Sequence, residues 1–425
     1  MTKKSTSSPN EPTTTICIGI ETPTSDWLVE DSIHELKELA TTAGLVIVDQ
    51  ITQNREKANQ LSYIGKGKLT ELTEIIKEKN IQIALFDDEL SPMQQRHLEN
   101  TLNIKILDRT SLVLDIFSQR AQTKEAQIQI ELAQLQYIQP RLRRMWTHLS
   151  RLGGGIGTRG PGETQLEVDR REIGRRIEKL KRDLKKVKLT RENQRKKRLS
   201  TPYLTVAIMG YTNAGKSTLH HLLTESNVLQ ENKLFATLDP TTRKLKCSTN
   251  DEILITDTVG FIRKLPHQLI DAFKATLEEV IYADLILHVI DCANPHWHDL
   301  MTTSHDVLKK LNIELNNEII IFNKIDQAND PILTKHECKH ISPIFVSANQ
   351  KGSRSKIMSI IEKNLTQFKS TMTFTIPYNK MNIYSLLHEN SHIINIDHQN
   401  DGIKLTCEIN KILGAKIMAE IHTPN

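Results

Sequence analysis

A multidomain α/β fold is predicted by three features of this 425-residue sequence. Short β-rich apolar runs alternate with helical patterns near the N-terminus, a basic segment keeps helical periodicity, and a phosphate-loop motif stands between an apolar strand and a helix. The length alone asks for roughly two to four domains. The composition, 38% hydrophobic and 25% charged, is that of a globular chain and excludes a disordered or fibrous one.

The first 13 residues read as a disordered tail without the apolar core of a signal peptide. Over residues 14–109, the runs Ile16 to Ile20, Leu45 to Ile51, Ile81 to Phe86 and Ile104 to Leu107 predict strands. Between them, Ile33, Leu36 and Leu39 mark one helix ending at Gly44, and Leu69, Leu72, Ile75 and Ile76 mark another ending at Asn80. A third helix opens with Ser91 as cap and Pro92 at the first helical position, where a missing N–H costs nothing. Strands and helices in alternation predict a small parallel α/β domain.

Residues 110–200 change period. Ile128, Leu132 and Leu135 lie at helical spacing within a run from Thr110 to about Arg144, and Ile173, Ile177, Leu180, Leu184 and Val187 form a coiled-coil seam in a second run from Leu166 to Leu199. The connection 151-RLGGGIGTRGPGETQ-165 is rich in glycine, so the two runs read as an antiparallel helical hairpin with a glycine-rich tip. Charge is concentrated here. Arg141 to Ser200 hold 20 Lys/Arg against 7 Asp/Glu, a net of +13, while the whole chain is only +5 and the remaining 365 residues are −8. Such a basic block is the footprint of a polyanion contact. Arg151, Gly153, Gly154, Gly155 and Arg159 at the tip, with Lys185 and Lys186 on the stalk, are the candidate RNA contacts, because bare glycine N–H groups approach phosphates closely.

Five dispersed cysteines in no CxxC pair argue against a disulfide framework or zinc ribbon and suit a reducing cytoplasm. No apolar run approaches the roughly 18 residues that span a bilayer, so a membrane contact would be peripheral if present.

The sharpest chemical signal follows the strand YLTVAIM. Gly210-Tyr211-Thr212-Asn213-Ala214-Gly215-Lys216-Ser217 matches G-x-x-x-x-G-K-[ST] and leads into the helical pattern TLHHLLTE. Such a loop turns backbone N–H groups toward phosphate oxygens at a helix N-terminus, its lysine neutralises the β- and γ-phosphates, and its hydroxyl meets Mg²⁺. The base is chosen later, by Asn323, Lys324 and Asp326 at the end of the strand EIIIF: an aspartate there accepts from guanine N1–H and its amine, which adenine lacks. Ser347, Ala348 and Asn349 are expected to cover the base edge. Between the two motifs, Asp257, Thr258, Val259 and Gly260 end an apolar strand, with Asp257 holding Mg²⁺ through water and Gly260 offering its amide to the γ-phosphate. Phe235, Ala236, Thr237, Leu238 and Asp239 form a candidate switch. Thr237 is the first choice for the second Mg²⁺ hydroxyl over Thr241 and Thr242. Order and spacing predict a Ras-like P-loop GTPase domain over 201–368 with GTP as substrate and Mg²⁺ as cofactor. Residues 369–425 pattern as a small α+β C-terminal domain.

Taken together, GYTNAGKST, FATLDPT, DTVGFIRKLP and RLGGGIGTRGPGETQLE, with YIGKGKLTEL and DDELSPMQQRHLE upstream, resemble the HflX family of translational GTPases over about residues 14–368. The resemblance implies a cytoplasmic, monomeric factor that binds the large ribosomal subunit through ribosomal RNA, has no DNA partner, and splits or rescues ribosomes under stress. A nucleotide-gated assembly factor is the competing reading. One departure bears on mechanism: Phe261 stands where Ras-like enzymes carry the glutamine that orients the attacking water, so the catalytic group is unassigned and slow hydrolysis without the ribosome is expected.

Overall fold

The computed structural model describes residues 13–23, 27–142, 165–199, 203–225, 234–235, 237–248, 252–264, 269, 277–311, 313, 315, 317–328, 343–399 and 401–422. The chain divides into two compact units, Met1–Lys186 with Lys264–Ala272, and Val187–Arg263 with Phe273–Asn425.

In the first unit, β1 (Thr14–Glu21), β2 (Val46–Asn54), β3 (Ile83–Phe86) and β4 (Lys105–Asp108) form a parallel sheet in the order β2-β1-β3-β4. The helices α1 (Val29–Thr42), α2 (Lys66–Glu78) and α3 (Pro92–Leu102) connect them. Crossover connections cover a parallel sheet on its faces, which is why β1 and β3 are almost wholly buried and read as continuous apolar runs. Ser91 and Gln94 close a capping box at the start of α3, and Pro92 occupies the first turn.

The expected helix from Thr110 to Arg144 is two helices, α4 (Arg109–Arg120) and α5 (Lys124–Ile138). Extended backbone at Ala121 stops the first, and the Thr123 hydroxyl accepts from the Ala126 amide to start the second. The arm α6 (Gln165–Leu199) contains the predicted seam, with Ile177 and Leu180 buried, and Arg176 pairs with Glu131 of α5 at 2.6 Å. The glycine-rich segment expected to form the tip, with Arg151, Gly153, Gly154, Gly155 and Arg159, lies outside the described residues; Lys185 and Lys186 are exposed on α6.

Beneath α4 lies a buried charge cluster absent from the sequence reading. Arg109, 1% exposed, donates to Asp87 Oδ1 at 2.5 Å, to Glu35 Oε2 at 2.9 Å and to the Ser32 carbonyl at 3.1 Å. Lys264 also pairs with Asp87, and with Asp88 at 2.5 Å. Burial alone would raise the Asp87 carboxyl, yet Arg109 and Lys264 hold it far below the usual carboxylate range.

The second unit contains a six-stranded sheet in the order β10-β9-β8-β5-β7-β6, from β5 (Leu204–Gly210), β6 (Thr241–Lys246), β7 (Glu252–Asp257), β8 (Leu285–Asp291), β9 (Glu318–Asn323) and β10 (Ile344–Phe345). All pairs are parallel except β6 with β7. The edge strand β6, TTRKLK, was not anticipated: it is exposed along most of its length and carries little apolar signal. Helices α7 (Lys216–Thr224), α8 (Trp297–Lys310) and α9 (Ser353–Leu365) accompany this sheet. A core of Val206, Ile208, Leu219, Ile255, Leu287, Val289, Ile321 and Ile357 fixes the strand ends that present the nucleotide motifs. The C-terminal part is the predicted α+β arrangement. An antiparallel sheet β11 (Lys369–Pro377), β13 (Gly402–Asn410) and β12 (His392–Gln399) is accompanied by α10 (Met381–Asn390) and α11 (Lys411–His422).

Candidate functional site

The site is built where β5, β7 and β9 end. Open α/β sheets place ligands in the crevice beyond the carboxyl ends of their strands. Gly210 closes β5, the loop 211–215 turns, and Lys216 begins α7. Gly215 sits at φ +91°, and an added Cβ would lie 2.2 Å from Asn323 Nδ2, so the loop's return requires glycine.

The three residues expected at the metal converge. Ser217 Oγ donates to Asp257 Oδ2 at 2.8 Å, Thr237 Oγ1 donates to the same oxygen at 2.7 Å, and the two hydroxyls are 2.9 Å apart. Thr242 is elsewhere, bonded to Thr256 across the β6–β7 pair at 2.9 Å. Asp257 Oδ1 is buried and has no hydrogen-bond partner among the described residues. A buried carboxylate oxygen left without a donor, beside two hydroxyls, is the donor set a hard divalent cation and its water would satisfy.

Lys216 is 7% exposed, and its ammonium donates to the Tyr211 carbonyl at 2.7 Å. Burial brings its pKa down to about 8, so its charge is poorly solvated and gains from an arriving phosphate. Gly260 keeps this space open: a Cβ there would lie 2.7 Å from Lys216 Nζ and 3.0 Å from Thr212 Cα. Thr258 is fully buried and donates to the Ile208 carbonyl at 2.7 Å, and Val259 is 1% exposed, so both side chains serve the fold.

Phe261 is pinned to the phosphate loop on both sides. Its N–H donates to the Gly210 carbonyl at 3.0 Å and its carbonyl accepts from Thr212 N–H at 2.8 Å, while its ring is 1% exposed. Tyr211 joins this contact through its hydroxyl, which accepts from Arg263 N–H at 2.9 Å.

The guanine motif contains a further surprise. Asn323 Nδ2 donates to the Ala214 carbonyl at 3.0 Å, and its Oδ1 accepts from Ala348 N–H at 3.0 Å. It therefore ties the phosphate loop to the 347–349 loop. Lys324 pairs with Asp291 at 2.7 Å, and Ser353 Oγ donates to the Ser347 carbonyl at 2.6 Å, fixing that loop against α9. Asp326 and Asn349 are exposed. In the switch segment Phe235 and Leu238 are buried, Phe235 at φ +56°, and Asp239 is partly exposed. Ala236 lies outside the described residues, as does His336-Glu337-Cys338-Lys339-His340, whose two histidines at i and i+4 could face one metal if helical. The four described cysteines, Cys17, Cys247, Cys292 and Cys407, are buried and form no disulfide with one another.

Comparison with known proteins gives three family models in chain order: GTP-binding GTPase N-terminal over residues 30–118, GTP-binding GTPase Middle Region over 120–198, and 50S ribosome-binding GTPase over 205–324. Among relatives, the protein named GTPase HflX of Caldanaerobacter subterraneus subsp. tengcongensis is 45% identical over 388 residues, 90% of this chain and 90% of its own. That of Lacrimispora saccharolytica is 46% identical over 372 residues, 88% of each. That of Escherichia coli is 40% identical over 356 residues, 83% of each.

Proposed function

This chain belongs to the HflX family of GTPases, and from that premise we propose that it is a Mg²⁺-dependent switch on the large ribosomal subunit. It hydrolyses GTP to GDP and phosphate, and its GTPase domain matches a 50S ribosome-binding type. Coupling of that cycle to ribosome splitting or rescue, under stress, is the finer reading. It has the chain acting as a cytoplasmic monomer, with no DNA partner and at most peripheral membrane contact.

In this reading the backbone of residues 210–217 wraps the phosphates, with Lys216 on the β- and γ-oxygens. Ser217 and Thr237 would hold Mg²⁺ through their hydroxyls and Asp257 would hold it through water, a reading supported by the meeting of all three within hydrogen-bond distance. When bound, Mg²⁺ supplies positive charge against the developing negative charge of the phosphates. Gly260 presents its amide to the γ-phosphate, and residues 235–239 follow as the switch. Asp326 reads the guanine, Lys324 lies along the base, and Ser347, Ala348 and Asn349 cover its edge. The tip residues Arg151, Gly153, Gly154, Gly155 and Arg159, with the exposed Lys185 and Lys186, contact ribosomal RNA.

The observation that carries the switch reading is Phe261. A buried phenyl ring pinned by two backbone hydrogen bonds cannot orient a water, so another group does, and in this reading docking on the ribosome orders the switches that bring it into place. The test has two arms. With the large subunit at saturation, hydrolysis should rise at least about tenfold, a change of about 1.4 kcal/mol in the barrier. The chain should also co-sediment with the subunit when a non-hydrolysable GTP analogue is bound, and less with GDP. Equal rates with and without the subunit would sink the gating, and failure to co-sediment in any nucleotide state would sink the ribosome assignment.

A further inference from the structure

We propose that His288, His305 and Glu318 form a second cation site, for a divalent d-block ion of which Zn²⁺ is the best match, on the flank of the GTPase sheet. It is independent of the ribosome reading. The site draws on three elements of the second unit. His288 is in β8, Glu318 opens β9, and His305 is in α8. In the β8–β9 register Ile286 faces Glu318 and His288 faces Ile320, so His288 and Glu318 are diagonal neighbours with the same parity and emerge on one face of the sheet.

The three ligand atoms lie within 4.8 Å of one another. His288 Nδ1 is 2.6 Å, and His305 Nε2 3.0 Å, from the same Glu318 oxygen. Tetrahedral zinc with bonds of about 2.0–2.1 Å sets its ligand atoms roughly 3.4 Å apart, so small side-chain rotations convert this cluster into a coordination shell. Two imidazoles and one carboxylate are donors that zinc takes readily, whereas Mg²⁺ and Ca²⁺ prefer oxygen alone. The His288 side chain is 1% exposed, that of Glu318 19% and that of His305 37%. Solvent therefore reaches the cluster from the His305 side, which gives an ion its entry and a water the fourth position.

The protonation states suit the purpose. Burial lowers the His288 pKa and keeps the imidazole neutral. Burial alone would raise Glu318, but hydrogen bonds from His288 and His305 bring it down to about 2, so it is a carboxylate. The hydrogen bond to Glu318 raises His305, so an ion would compete with a proton for its ring nitrogen. The consequence is local. β9 runs directly into Asn323, and β8 ends at Asp291, the partner of Lys324, so an ion joining β8, β9 and α8 clamps the strands that present the guanine motif.

The test uses the full chain, stripped with a chelator and then saturated with Mg²⁺ and GDP so that the nucleotide site is filled. It is titrated with Zn²⁺ by calorimetry and with Co²⁺ by visible absorption. One equivalent of Zn²⁺ and the absorption of four-coordinate Co²⁺ are expected. His305→Ala should abolish both, and Glu318→Gln should weaken binding at least about tenfold, while a His336→Ala, His340→Ala double variant should bind as before. The His305 side chain is partly exposed, so His305→Ala should keep its fold, which an unchanged unfolding midpoint in chelator would verify. No uptake by the wild-type chain means a hydrogen-bonded triad only and overturns the proposal. Uptake that survives His305→Ala, or that vanishes in the His336/His340 variant, overturns it equally.

Discussion

Replacing Phe261 by glutamine would restore the side chain Ras-like enzymes use, and the geometry says it will not restore the activity. Both backbone hydrogen bonds of residue 261, to Gly210 at 3.0 Å and from Thr212 at 2.8 Å, are independent of the side chain, so the Cα–Cβ bond keeps its direction into the interior. There the phenyl ring is 1% exposed. Losing its burial costs about 1.5–3 kcal/mol. A buried amide without partners costs about 1–3 kcal/mol more. Phe261→Gln should therefore destabilise the GTPase domain by about 2.5–6 kcal/mol, while single-turnover hydrolysis by the chain alone changes by less than about tenfold. Urea unfolding with and without GDP reads the first quantity, and release of the γ-phosphate reads the second. A rise of tenfold or more at unchanged stability would show that this side chain reaches the nucleotide, and the argument from the pinned backbone would fail.

Other expectations are as concrete. Gly215→Ala places a methyl 2.2 Å from Asn323 Nδ2 at φ +91°, and GDP affinity should fall by about 2–4 kcal/mol; calorimetry showing less than tenfold loss would refute the packing argument. Thr237→Val removes one hydroxyl from the Asp257 group and should cut the preference for GTP over GDP by about 1–3 kcal/mol, whereas Thr242→Val, whose partner is Thr256, should not; equal effects would contradict the metal assignment. Arg109→Met leaves the buried Asp87 with Lys264 alone and removes the Arg109 partner of the half-buried Glu35, and should cost the first unit about 3–5 kcal/mol, read by hydrogen exchange in β1 and β3. Asp87 has a depressed native pKa, so it contributes stability at neutral pH that is lost as pH falls from the ordinary carboxylate range through its own lower value. The variant should show a shallower acid dependence in that window, and an unchanged slope would refute the assignment.

Much of this was legible in sequence, and the reasons differ by residue. Ser91 with Pro92 announces a helix start by local chemistry alone, and 210-GYTNAGKS-217 by the contiguous needs of phosphate. The break between α4 and α5 was also local, since Thr123 is a cap, but helical periodicity continues through it and masked the signal. What could not be read is what depends on distant pairing. Arg109 belongs to the core only because Asp87 and Glu35, 22 and 74 positions away, arrive beside it. Glu318 stands between His288 and His305 only because parallel register places Glu318 opposite Ile286. Asn323 stood where a base contact was expected, and its amide turned out to be committed to Ala214 and Ala348.

That commitment has a consequence for how nucleotide leaves. A cycling GTPase must at some point discard GDP, and the grip at the phosphate end and the grip at the base end are usually thought of as two locks. Here a single carboxamide serves as the bolt for both, since one face of Asn323 holds the loop of Ala214 and the other the loop of Ala348. Anything that levers β9 by a fraction of an ångström would slacken both ends at once. Expulsion of the spent nucleotide then becomes one event rather than two, and an exchange-promoting partner needs a handle on only one strand.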